Sequence, residues 1–158
     1  MTSYVVMGVS GCGKSSIGAG VAAALGARFI DGDDLHPPAN IAKMSRGQPL
    51  NDDDRAPWLA LVGQALAQGN TVVACSALKR AYRDQIRAQA DTVFLYLRGQ
   101  RETLLARMVA RPGHFMPTSL LDSQLATLEP PAADEAHVVQ DIEASPAKII
   151  AGFLEGLK

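Results

Sequence analysis

Residues 8–15 read Gly8-Val9-Ser10-Gly11-Cys12-Gly13-Lys14-Ser15, an unbroken match to G-x-x-x-x-G-K-[ST]. What flanks this stretch narrows the fold. Ser3-Tyr4-Val5-Val6-Met7 before it is short, apolar and β-branched, as a buried strand should be, and Ile17 to Leu25 after it has the period of an amphipathic helix starting near Lys14. Strand, glycine-rich loop and helix together predict a phosphate-binding loop. Three glycines let the backbone N–H groups approach an anion closely, and the positive end of the helix faces the same point. Gly8 to Lys14, with Ser15 and Ser16, are therefore the expected ATP contacts. Lys14 should reach the β and γ phosphates, and the Ser15 hydroxyl should be a ligand of the Mg²⁺ that accompanies ATP.

The rest of the chain supports one domain over residues 1–158, with 47% hydrophobic and 20% charged residues arguing against disorder. A net charge of −1 gives no basic surface for nucleic acid, so a small acceptor is expected. Cys12 and Cys75 are the only cysteines, no secretory leader is legible at the start, and no apolar run reaches the ~20 residues of a membrane span. The expectation is a cytoplasmic protein with no membrane partner.

Further strands are expected at Ala27–Ile30, Thr71–Cys75, Thr92–Leu97 and His137–Gln140. Helices are expected at Asn40–Ser45, from the aspartates at 52–54 to Gln68, after Arg80, at Arg101–Arg111, from Thr118 to about Leu128, and at Pro146–Leu157. Ligands of open α/β sheets gather at the carboxyl ends of strands. Two groups stand there, and a third opens a helix. Asp31-Gly32-Asp33 follows the second strand and suits a hydroxyl and a hydrated cation, although an acidic turn would look the same. Ser76 and Lys79 follow the third strand, with Arg83 four residues beyond Lys79, a spacing that a solvated helix face also produces. Asp52-Asp53-Asp54-Arg55 opens a helix, where the aspartates serve equally as caps or substrate contacts. Arg55 offers the planar fork that suits a carboxylate. Arg107 and Arg111 precede a tip bounded by Pro112-Gly113 and Pro117, a pattern that reads as a helical lid over about 107–128 or as a plain helical hairpin.

Taken in order, Met7-Gly8-Val9-Ser10-Gly11, Asp31-Gly32-Asp33 with Leu35-His36-Pro37, Pro49 to Arg55 with Pro57-Trp58-Leu59, Cys75-Ser76-Ala77-Leu78-Lys79, Tyr82-Arg83-Asp84 and His114-Phe115-Met116 resemble the thermoresistant gluconokinases, small kinases of the nucleoside monophosphate kinase-like P-loop superfamily. The resemblance spans Met7 to Glu129. It implies a three-layer P-loop fold with a parallel five-stranded sheet in order 2-3-1-4-5, and ATP-dependent phosphorylation of D-gluconate at its 6-hydroxyl, often by a homodimer. It also implies roles. Asp33 would orient or deprotonate the acceptor hydroxyl, Asp31 would hold a water on Mg²⁺, and Arg55 would meet the acceptor carboxylate. His36, Ser76, Lys79, Arg83 and His114 would complete the acceptor site. Arg107 would stack on adenine and Arg111 would meet the phosphates, making Lys14, Asp33 and Arg111 the catalytic set.

Two departures from the pattern stand out. Gln124 occupies the place where the related shikimate kinases put a further carboxylate-binding arginine, and the third strand ends in Cys75-Ser76 without the usual metal-binding aspartate, for which Asp31 is the substitute. A shikimate or nucleoside monophosphate kinase is the alternative enzyme, although Cys75-Ser76-Ala77 replaces the glycine triplet that follows the third strand of shikimate kinases. A nucleotide-dependent switch would want a Walker-B acid or an N-K-x-D motif, and neither is found in the sequence.

Overall fold

A computed structural model describes residues 2–110 and 118–158; Arg111 and His114 lie outside the described residues. Five strands, β1 Ser3–Met7, β2 Arg28–Asp31, β3 Thr71–Ala74, β4 Thr92–Arg98 and β5 His137–Asp141, form one sheet in the order β2-β3-β1-β4-β5. Every neighbouring pair is parallel, so all carboxyl ends open on the same edge. This is the expected topology.

Parallel strands need crossover helices, and these cover both faces. Side chains alternate across the sheet. Val6, Leu95 and Leu97 point to one face and pack on Ile17 and Val21 of α1 (Lys14–Leu25), Leu104 of α5 (Arg101–Ala110) and Ile149 and Phe153 of α7 (Pro146–Gly156). Val5, Met7 and Phe94 point to the other, against Leu59, Val62 and Leu66 of α3 (Asp52–Ala67) and Tyr82 and Ile86 of α4 (Arg80–Arg87). Two further helices are α2 (Pro38–Ser45) and α6 (Thr118–Thr127), and Leu121 of α6 is buried in the first of these two clusters. No described helix is long and apolar enough to cross a membrane.

Element ends follow the local chemistry. α2 begins two residues earlier than the periodicity predicts, because Pro38 sits in its first turn with Pro37 as N-cap. A proline there loses no hydrogen bond, since that N–H has no helical partner, and its fixed φ suits the helix. α3 opens on a capping box in which the Asn51 side chain accepts from the Asp54 N–H and the Asp54 carboxylate accepts from the Asn51 N–H. That arrangement satisfies two orphan donors reciprocally.

One charged cluster is sealed inside the fold. Arg83 is completely buried, donating from Nε and Nη2 to the Glu135 carboxylate at 2.7 and 3.2 Å and from Nη1 to the Ala77 carbonyl at 2.8 Å. Arg87 adds a second cation, its Nη1 lying 2.9 Å from Glu135 Oε1. Burial alone would raise the Glu135 pKa. The Arg83 hydrogen bonds, the Ala132 N–H and the charges of Arg83 and Arg87 outweigh it and hold the carboxyl at about 2, against an ordinary 4.5.

A carboxylate whose pKa is depressed by folding contributes stability that is complete above the unfolded value and is lost as the pH falls through the folded one. Here that window runs from about 4.5 down to about 2. Glu135→Gln should therefore cost about 3 kcal/mol at pH 7, the range expected for breaking a buried pair. The deficit should shrink as both proteins are taken toward pH 3. Urea midpoints at the two pH values measure it, and a deficit equal at both would show that Glu135 is not the group titrating.

Candidate active site

Between β1 and α1 the chain must leave a strand and enter a helix while keeping its N–H groups pointed outward. Glycine makes this possible at two crowded points. Gly8 has φ +151°, and a Cβ there would lie 2.8 Å from Cys12 Sγ; Gly11 has φ +86°, and a Cβ there would lie 2.9 Å from the Leu104 carbonyl oxygen. Gly13, left-handed, is the N-cap of α1, with no side-chain cap and no acidic residue in the first turn. The helix thus supplies no capping side chain or acid of its own to its N-terminal N–H groups. Lys14 folds back over the loop, its Nζ donating to the Val9 carbonyl at 3.3 Å.

The loop is tied to both its neighbours. The Gly8 N–H donates to the Ser76 carbonyl at 3.3 Å, linking it to the segment after β3. The Ser10 N–H donates to Gln124 Oε1 of α6 at 2.7 Å, so Gln124 is brought to the phosphate-binding loop. Ser15 Oγ donates to Asp31 Oδ2 at 2.9 Å. The other oxygen of Asp31 accepts from the Asp33 N–H at 3.0 Å, which caps the 3-10 turn Gly32–Leu35. β2 pairs with β3 so that Asp31 stands opposite Ala74, the last residue of β3. Asp31 thus lies beside the strand end that lacks its own aspartate.

Beyond Gly13 a cavity of about 230 Å³ is lined by Cys12, Ser16, Ile17, Arg107, Ile142 and Pro146, among others. Arg107 Nη2 donates to the Ile142 carbonyl at 2.8 Å, which fixes the guanidinium at this mouth. Both cysteines are buried thiols. Burial pushes Cys12 up and Cys75 up to about 12, so neither is a thiolate near neutral pH.

On the opposite side of Asp31 the turn carries Asp33, exposed, and His36, half-buried. His36 stacks on Trp58 with ring centroids 4.4 Å apart and planes 13° from parallel. Trp58 Nε1 in turn donates to the Gly32 carbonyl at 2.7 Å, and Asn40 Nδ2 lies 3.3 Å from His36 Nδ1. Burial lowers the His36 pKa, Asp33 raises it and Arg55 lowers it further, with the net downward. His36 is therefore a neutral hydrogen-bonding ring that feels both charged neighbours.

Arg55 and Lys79 come together over Tyr82, 5.5 and 5.6 Å from its ring centroid. Arg55 Nη1 donates to the Tyr82 hydroxyl at 3.2 Å, and that hydroxyl donates to Asp52 Oδ1 at 2.6 Å. Tyr82 has no site role in the sequence reading, and Asp52 enters it only as one of three aspartates that serve equally as caps or substrate contacts. The three-residue spacing of Lys79 and Tyr82 was the available signal, since residues so spaced share a helix face.

Arg83 is not brought to this site. The expectation that it touches the acceptor is corrected, because the side chain is completely buried and each of its three nitrogens donates inward, to Glu135 or Ala77. It supports the segment after β3 from beneath. Ala77 has φ +45°, a left-handed conformation that costs a non-glycine residue free energy, and its carbonyl is the one Arg83 holds. Ser76, just before it, is half-buried at the end of β3.

Comparison with known proteins sets this arrangement among its relatives. The shikimate kinase family model matches residues 10–158. The chain is 54% identical over 144 residues to the thermosensitive gluconokinase of Escherichia coli K12, covering 87% of this chain and 77% of that one. It superposes with a TM-score of 0.91 on the crystal structure of a gluconokinase from Sinorhizobium meliloti 1021, at 53% identity, with 99% of this chain and 91% of that one covered. A shikimate kinase from Bacteroides thetaiotaomicron gives a TM-score of 0.72 at 16% identity over 99% of this chain and 98% of that one, which is likeness of fold alone. The unbroken phosphate loop and sheet order are common to the wider group, whereas identity above one half singles out one branch of it: the chain belongs to the gluconokinase family of P-loop kinases.

Proposed function

We infer that the protein transfers the γ-phosphoryl group of ATP to the 6-hydroxyl of D-gluconate, giving 6-phospho-D-gluconate and ADP. What carries the reading is a complete phosphate loop together with a two-cation site, Arg55 and Lys79, in a chain of the gluconokinase family. Gluconate is a six-carbon polyol with a carboxylate at one end and the reacting hydroxyl at the other. It needs cations for the acid and a carboxylate near the hydroxyl.

In this reading the N–H groups from Val9 to Ser15 cradle the phosphates, and Lys14 leaves the Val9 carbonyl to meet the transferring group. The adenine enters the cavity beside Ser16 and Ile17, with Arg107 against it. Gln124 releases the Ser10 N–H as the phosphates arrive, and its carboxamide is then free to contact the acceptor. The Ser15 hydroxyl and the Asp31 carboxylate, already 2.9 Å apart, are the oxygen donors that a hard cation takes directly and through water. Mg²⁺ held there would neutralise charge on the phosphates. Asp33 orients the 6-hydroxyl and accepts its proton, while neutral His36 and Ser76 hydrogen-bond to the polyol. Arg55 and Lys79 hold the carboxylate.

A loose phosphoryl-transfer transition state asks chiefly for positioning and charge neutralisation. Lys14→Ala should accordingly lower turnover by about 10²-fold or more with the fold intact. A folded variant within threefold of the parent rate would remove Lys14 from this role.

The two ends of the acceptor should separate kinetically. Arg55→Lys keeps the charge but loses the planar fork, so the gluconate KM should rise by roughly tenfold. Asp33→Asn should lower kcat by about 10²-fold with a smaller effect on gluconate affinity. The ATP KM should barely move in either variant. Steady-state kinetics with both substrates varied decide between this division and any other. The function itself is tested by ADP release with gluconate, shikimate, glycerate, AMP or no acceptor. Turnover is expected with gluconate, and preferential turnover of any other acceptor overturns the assignment.

A further inference from the structure

The carboxylate of Asp52 stands where three donors converge. Its Oδ1 accepts from the Tyr82 hydroxyl at 2.6 Å and lies 3.8 Å from Lys79 Nζ and 3.9 Å from Arg55 Nη1. Helix capping does not account for this. The Asn51–Asp54 box already satisfies the start of α3, and the Asp52 side chain turns instead toward α4. An ordinary surface ion pair would join one cation to one acid; here two cations on different segments lie near one aromatic ring, which attracts both, and near one carboxylate.

We propose that Arg55, Lys79 and Tyr82 form a preassembled carboxylate site in which Asp52 stands in for the acceptor's own acid group, and that Asp52 thereby weakens and tunes the binding of acidic acceptors. The inference rests on the reading that gluconate places its carboxylate at Arg55. The Tyr82 hydroxyl has one proton to donate and can serve one carboxylate at a time. Two carboxylates within one cation pair repel, so the acceptor must turn Asp52 away. That movement is open to it, because the Asp52 side chain is 68% exposed while those of Arg55 and Lys79 are 32% and 36% exposed. With no acceptor bound, Asp52 keeps both cations aimed and denies the site to stray anions. On exchange, the acceptor inherits a clamp already assembled, at the cost of displacing the resident acid.

The sign of one substitution tests this. Asp52→Asn keeps the size but loses the competing charge, so the gluconate KM should fall by about threefold to tenfold while the ATP KM stays within twofold. A helix-start residue with a purely structural role would not tighten acceptor binding when replaced. In the Asp52→Asn background, Tyr82→Phe should raise the gluconate KM by threefold or more, because the third donor to the acceptor is gone. Arg55→Lys is measured alongside. If Arg55→Lys raises the gluconate KM and Asp52→Asn leaves it equal or higher, the stand-in role is overturned and the placement of the carboxylate at Arg55 survives. If Arg55→Lys leaves the gluconate KM unchanged, both fall together.

Discussion

The site depends on one hydrogen bond between segments that are far apart in sequence. The Gly8 N–H donates to the Ser76 carbonyl and so joins the phosphate loop, which follows β1, to the segment after β3. β1 and β3 are neighbours in a parallel sheet, so their carboxyl ends lie side by side, and this bond continues the ladder past the last paired residues. The phosphate loop hangs from β1. Ser76, Lys79 and, through α4, Tyr82 hang from β3. Catalysis between two bound molecules requires the two groups to keep a fixed spacing, and the sheet edge supplies it.

What lies beneath that edge is costly in isolation. A left-handed alanine and a buried arginine are each unfavourable, yet Arg83 meets the Ala77 carbonyl and Glu135 meets Arg83. Together they fix the backbone that presents Ser76 and Lys79. The contacts continue to the chain that returns from α6: the Arg80 N–H donates to Glu129, and the Glu129 N–H donates to the Leu78 carbonyl. Gln124, earlier on the same stretch, touches the phosphate loop. One run of chain thus braces both halves of the site.

The phosphate loop was legible because its information is local: eight consecutive residues, a strand before and a helix after. The sheet order came with the resemblance, since nothing in the strand sequences themselves orders them. The misreading of Arg83 has a different cause. A four-residue spacing places two residues on one helix face without saying whether that face looks out or in, and the deciding partner, Glu135, is 52 positions away. Tyr82 and Asp52 are 30 positions apart and Ser10 and Gln124 are 114 apart, so no window along the chain could pair them. The helix expected from Asn40 starts at Pro38 instead, because apolar periodicity does not mark a first turn that proline enters at no hydrogen-bond cost.

Trp58 is the only tryptophan in the chain. It lies flat against His36 and its indole N–H holds the Gly32 carbonyl, between Asp31 and Asp33. The molecule therefore carries a single indole, packed against the turn that holds Asp33 and His36 and absent from the lining of the cavity beside Arg107. Burial lowers the pKa of the stacked imidazole, so at neutral pH the indole lies against an uncharged ring. Emission from this indole is thus a local probe of the turn that carries Asp33 and His36, readable in the unlabelled protein.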